Sequence, residues 1–217
     1  MKRMGFSCAV SACLILIIAG CIQKVERPAA IEPGRYFPLH VGDDYYYSGP
    51  VGHFAVVDAI GDLRTVAYFD SSGVITHRED YVKSDSRIGL KSMMYRVPGH
   101  AYIGFEPALP FVPWSNLIGD TLLFSSTEIR GDSNFTHLRI MVEYKITAIE
   151  TLVTMAGTFE DCIKIGMTYR TLENGVGNKL DGQSTWWFTR DVGFVRYETP
   201  EGVGELLRAD VDGRSYP

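Results

Sequence analysis

The chain has 217 residues, of which 46% are hydrophobic and 12% aromatic, enough for one domain with a sizeable core. Its 21 basic and 26 acidic side chains give a net charge of −5, with no long basic run. Nothing in that balance seeks a phosphate backbone, so no nucleic-acid partner is expected.

The first element is a targeting segment. Lys2 and Arg3 precede an uncharged run from Gly5 to Ile18. That is the length of a secretory apolar region, and it falls short of the ~20 residues a spanning helix needs. The run ends in Ile18-Ala19-Gly20-Cys21. This order of branched, small, small and Cys resembles the bacterial lipobox. The resemblance implies cleavage after Gly20, a diacylglycerol on the Cys21 sulfur and an acyl chain on the new amine. Two or three chains, at ~0.8 kcal/mol per buried CH₂, hold a protein stably on a membrane. An ordinary secretion signal with an incidental Cys21 is the alternative. Ile22 and Gln23 follow, without the Asp that commonly marks inner-membrane retention in lipoproteins. The expected location is therefore the cell envelope, on the periplasmic face of the outer membrane where two membranes exist.

Residues 1–20 read as the signal peptide and 21–35 as the lipidated Cys with a flexible tether. Ile22 to Gly34 mixes charge with Pro28 and Pro33 and has no apolar period; as a coil it reaches about 20 Å. A globular domain over 36–217 follows. Cys8 and Cys13 leave with the signal, so Cys162 remains as the one free thiol and no intramolecular disulfide is available. Burial as a small hydrophobe is its expected fate.

Strand signals then dominate. Asp44 to Ser48 is aromatic and His53 to Ile60 is a compact apolar run. Arg64–Asp70 and Val74–Val82, joined through Ser71-Ser72-Gly73, have hairpin spacing, and Arg87–Tyr95 is a further strand. Pro107, Pro110 and Pro113 make Glu106–Asn116 a loop or edge crossing. Between Leu138 and Ala148, apolar residues alternate with Arg139, Met141, Glu143, Lys145 and Thr147. Leu138, Val142, Ile149 and Val153 also fit a helical stripe, but the strict period of two and the β-branched content favour a strand.

Phe159–Arg170 alternates again, with Cys162 out of parity as at a bulge. Leu172–Gln183 reads as a long turn, Ser184–Thr189 and Phe194–Glu198 as a hairpin, and Val203–Val211 as the last strand. The fold class expected is all-β or strongly β-rich, a single antiparallel domain.

Three segments carry a family resemblance. They are Pro38-Leu39-His40-Val41-Gly42-Asp43-Asp44-Tyr45-Tyr46-Tyr47, Ala156-Gly157-Thr158-Phe159-Glu160-Asp161-Cys162-Ile163-Lys164-Ile165, and Trp186-Trp187-Phe188-Thr189-Arg190-Asp191-Val192-Gly193-Phe194-Val195-Arg196-Tyr197-Glu198. Together they resemble a recurrent type of bacterial lipoprotein or secreted envelope protein, most of whose members have no assigned activity. Tyr45 stands where Trp is usual, and Asp191 where Gly is common. The resemblance implies a curved antiparallel sheet or half-barrel and supplies no catalytic residues.

The chain carries few residues in patterns that support chemistry. The five histidines lack metal-ligand spacing, and His77-Arg78-Glu79-Asp80 reads as a solvated strand face. No nucleophile elbow, phosphate loop or zincin motif is present, so no catalytic residue, metal or cofactor is expected. Tyr45, Tyr47, Trp114, Trp186 and Trp187 are the candidate ligand-binding residues, because aromatics line apolar grooves and stack on sugars. Trp186 and Trp187 must face opposite ways on a strand. The expected function is non-enzymatic: a membrane-anchored envelope lipoprotein that binds an apolar ligand or a protein partner on its sheet. Cell-wall glycan binding or hydrolysis is the alternative; hydrolysis needs two carboxyls about 5–9.5 Å apart.

Overall fold

The computed structural model describes residues 32–84, 87–96, 102–112, 118–131, 136–173 and 176–217. A one-turn helix, α1 (Pro33–Tyr36), precedes thirteen strands. These are β1 (Asp44–Tyr47), β2 (His53–Ile60), β3 (Leu63–Phe69), β4 (Ile75–Ser84), β5 (Arg87–Tyr95), β6 (Ile103–Pro110), β7 (Thr121–Arg130), β8 (Thr136–Thr154), β9 (Gly157–Glu173), β10 (Val176–Thr189), β11 (Gly193–Thr199), β12 (Gly202–Val211) and β13 (Arg214–Tyr216).

Each strand pairs antiparallel with the next in sequence, and β1 also pairs with β12. The all-β, single-domain reading therefore holds, and the curved sheet goes on to close into a twelve-stranded barrel with β13 added on β12. Closure removes the exposed edges that an open sheet would present.

The alternation in the sequence sets the two faces. Ile140, Val142, Tyr144 and Ile146 of β8 are buried, while Arg139 and Lys145 are exposed. Opposite them, Ile163 and Ile165 of β9 are buried as well. The β8–β9 ladder slips between Glu150 and Leu152, where Asp161 takes a φ of 53°. This is the bulge that puts Cys162 out of parity. Cys162 is buried, and its thiol lies 3.3 Å from the Phe159 carbonyl.

Two stretches differ from the sequence reading. Glu106–Asn116 reads from its prolines as a loop or edge crossing, yet its first residues, through Pro110, belong to strand β6. Its ladder with β5 jumps from Ser92↔Gly104 to Leu90↔Leu109, so Pro107 sits in a bulge that needs no amide donor. Leu172–Gln183 was expected to be a long turn. Instead β9 and β10 run on to Glu173 and from Val176, with slips between Gly177 and Lys179 and between Leu180 and Gly182. Those slips absorb Asn178 and Asp181, the turn-type residues that obscured the strand.

One end of the barrel is plugged by the chain that enters it. Phe37, fully buried, packs its ring against Phe54, Tyr81, Phe111 and Phe194 at 4.8–6.4 Å between centroids. Arg35 Nε donates to Asp191 Oδ1 at 2.8 Å, and Lys83 donates to the Pro38 carbonyl. These contacts clamp α1 to the β10–β11 turn and the segment after it to β4. At the opposite end Tyr197 Oη donates to the Ser48 carbonyl and accepts from the Val51 amide, pinning the β1–β2 turn.

Candidate functional site

Behind the aromatic plug the barrel holds a partly open cavity of about 190 Å³. Its walls come from strands around the barrel: Tyr68 on β3, Glu79 and Tyr81 on β4, Leu90 on β5, Leu109 and Pro110 on β6, Tyr144 on β8, Ile165 and Met167 on β9, and Trp186 and Phe188 on β10. Val51, Phe111 and Phe194 complete it. Phe111 packs edge-on to Trp186 and Phe188, at 5.9 and 5.7 Å, and so closes the α1 end.

The polar feature of this apolar space is one carboxylate. Along β4 the side chains alternate, so His77, Glu79 and Tyr81 share the inner face while Thr76, Arg78 and Asp80 share the outer one. The solvated-face reading of His77-Arg78-Glu79-Asp80 is thus corrected for His77 and Glu79. Glu79 Oε2 accepts from Tyr68 Oη at 2.7 Å and from Tyr81 Oη at 2.6 Å. Oε1 accepts no hydrogen bond from a described residue; His77 Nε2 stands 3.8 Å away. The Glu79 side chain keeps 13% of its surface accessible, and Glu79 lines the cavity.

Burial shifts the titrations here. It pushes Glu79 above the ordinary range of a glutamic acid, although the two phenols act the other way. His77 is pushed down to about 4 by burial and is neutral at physiological pH. It is stacked between Tyr68 and Tyr95, at 4.1 and 5.2 Å. Tyr68 and Tyr81 are raised well above a free phenol, first by burial and then by the charge of Glu79. Both phenols therefore stay protonated as donors.

The candidate residues of the sequence fall in different places. Trp186 lines the cavity, its Nε1 donating to Ser184 Oγ at 2.9 Å. Tyr45 and Tyr47 are buried in the adjoining wall and do not line it. Tyr45 stacks on Phe54, while Tyr47 stacks on Phe194 and donates to its carbonyl at 2.6 Å. Phe194 then meets Trp186 edge-on at 5.1 Å, so Tyr47 and Trp186 are joined through one ring.

Trp187 faces outward yet is only 3% exposed. Lys164 and Arg196 lie over its ring at 4.8 and 5.1 Å, and its Nε1 donates to Glu150 at 2.5 Å. Trp114 and Cys21 lie outside the described residues. The sequence reading missed Tyr68, Glu79, Tyr81 and Tyr144. For Glu79 and Tyr81 the signal was the period-two array Ile75, His77, Glu79, Tyr81, hidden because its middle members are polar.

Among the described residues lining the cavity, Glu79 is the single acid, so no carboxylate pair faces this space. A second buried acid, Glu128, accepts from Arg130 and Tyr169 and does not line it. No group of three or more His, Cys, Asp or Glu among the described residues is placed to hold a metal ion.

The architecture is that of an antiparallel barrel with a small apolar lumen and one acid in its wall. Residues 125–210, running from β7 to β12, match the family model described as DUF3108-like. No curated protein matches the sequence. Two solved structures are similar in shape. One is a candidate lipoprotein from Parabacteroides distasonis, 16% identical, with a TM-score of 0.47, covering 81% of this chain and 98% of its own. The other is a candidate exported protein with a YmcC-like fold from Bacteroides fragilis, 15% identical, with a TM-score of 0.40 and the same coverage.

Proposed function

We propose that this protein is a non-enzymatic lipoprotein of the bacterial cell envelope, held by acyl chains on Cys21, whose barrel lumen takes up an apolar ligand. The observation that carries the ligand reading is the cavity of about 190 Å³ walled by Trp186, Phe111, Phe188 and aliphatic side chains. An apolar cavity of about 150 Å³ is enough to stay dry and take up benzene. This lumen therefore suits one substituted ring or a short alkyl chain, and a whole diacyl lipid is too large for it. The Lys2-Arg3 start, the uncharged run and Ile18-Ala19-Gly20-Cys21 support the anchor. Ile22 and Gln23 after the Cys favour the outer membrane in an organism that has one.

Two measurements test this. Metabolic labelling with palmitate is expected to mark the protein and to fail in Cys21→Ser, which then leaves the membrane fraction; label retained in that variant would refute the anchor. Native mass spectrometry of the mature protein, alone and after exposure to toluene, is expected to show a small added mass. A bare mass in both cases would refute the lumen as a ligand site.

A further inference from the structure

The lumen holds an acid whose hydrogen bonds are half complete. Glu79 Oε2 accepts from the hydroxyls of Tyr68 and Tyr81, whereas Oε1 has no donor from a described residue, and Glu79 lines the cavity. No described residue lining the cavity is basic. His77, the nearby nitrogen base, lies 3.8 Å from Oε1, beyond hydrogen-bond reach. A carboxylate in an apolar space without a counter-charge is costly, and a ligand that brings the counter-charge removes that cost.

We infer that the lumen selects small organic amines with an apolar body of about one ring, the ammonium group docking on Glu79 Oε1 and the body lying against Trp186, Phe111 and Phe188. This rests on the lumen being a binding site, as proposed above. Two features of the site favour an ammonium over a neutral hydroxyl. A hydroxyl completes the hydrogen bond but leaves the negative charge unbalanced. The walls also carry the rings of Tyr68, Tyr81, Phe111 and Trp186, and aromatic rings attract a cation where a neutral hydroxyl gains nothing comparable. The bound state is the same by either route. An ammonium adds to the carboxylate, or a free amine takes the proton of the carboxylic acid, and both give a carboxylate–ammonium pair. Tyr68 and Tyr81 act as positioning residues, because their two hydroxyls hold Oε2 and leave Oε1 to the ligand.

The probes are benzylamine, benzyl alcohol and toluene, which share one ring and differ in the group presented to Glu79. Each is titrated by calorimetry into the mature, full-length protein at neutral pH. Benzylamine is expected to bind about tenfold or more tighter than toluene, with benzyl alcohol between them. Glu79→Gln, which keeps the shape and accepts from the same phenols, is expected to erase that ranking while toluene stays within about twofold. Toluene binding as well as or better than benzylamine would overturn the amine inference and leave the lumen reading standing. No binding by any probe would overturn both. Retention of the ranking in Glu79→Gln would show that another group selects the amine. If that variant does not fold, the ranking on the unaltered protein still decides between amine and neutral ligand.

Discussion

Tyr45 and Tyr47 sit two residues apart on β1, face the same core and are both buried, yet losing the hydroxyl should have opposite effects. Tyr45 Oη is buried without a hydrogen-bond partner among the described residues, whereas Tyr47 Oη donates to the Phe194 carbonyl at 2.6 Å. An unsatisfied buried hydroxyl costs about 1–3 kcal/mol, so Tyr45→Phe should stabilise the barrel by about 1 kcal/mol or more, its ring contact with Phe54 being kept. Tyr47→Phe removes a made bond and leaves a carbonyl under-satisfied, at a cost of about 1 kcal/mol. The two variants should differ by about 2 kcal/mol, which for a domain of this size separates the melting temperatures by about 4–8 °C. Urea denaturation at equilibrium checks this, with the slope m unchanged so that the midpoints report stability. Loss of about 1 kcal/mol or more in Tyr45→Phe would refute the reasoning, since Oη would then hold a partner.

Other consequences follow from the same structure. Phe37→Ala should destabilise by about 3–5 kcal/mol, because a fully buried ring that meets four others leaves a cavity the plug cannot collapse into; denaturation midpoints read this directly. Glu79 titrates higher in the folded than in the unfolded chain, so its contribution is most favourable below the unfolded value and is lost as pH rises through the folded one. Glu79→Gln should therefore gain stability relative to the parent as pH rises from the ordinary carboxyl range, and level off once the buried acid has ionised. Melting curves across acid to neutral pH test the sign. Burial pushes the Cys162 thiol up to about 11. Iodoacetamide at neutral pH should leave Cys162 unmodified in the folded protein and alkylate it in denaturant, as peptide mapping will show.

Much of the barrel is written locally. Leu138–Ala148 and Phe159–Arg170 alternate because one face meets the core and the other water. That same rule placed β8, β9 and the bulge at Asp161. The hairpin around Ser71-Ser72-Gly73 was legible because turn chemistry is local, with Asp70 Oδ1 accepting from the Ser72 and Val74 amides. What local rules missed depends on neighbouring strands. Pro107 is tolerated in β6 only because the β5 ladder skips it, and Asn178 and Asp181 are tolerated only as slips against β9. Closure between β1 and β12 joins segments more than 150 residues apart, as in Tyr46↔Arg208, and no short-range pattern announces it.

The site was partly legible for a similar reason. Aromatic content pointed to Trp186, which does line the lumen, and correctly required Trp187 to face the other way. It did not separate ring-lined cavity from ring-filled core, which is where Tyr45 and Tyr47 lie. Glu79 was read as solvated because a carboxylate usually is. Its inward aim follows from parity with Tyr81, and its tolerance from two phenols, one on the neighbouring strand β3.

We propose that the lumen is an apolar, ligand-accepting cavity. The most direct test is a crystal of the mature protein held under xenon, which enters dry apolar cavities without needing a particular polar group. An ordered xenon atom is expected in the lumen, among the side chains that include Trp186, Phe111 and Ile165. A lumen that takes up no xenon, with Phe111 or Trp186 filling the space, would contradict it.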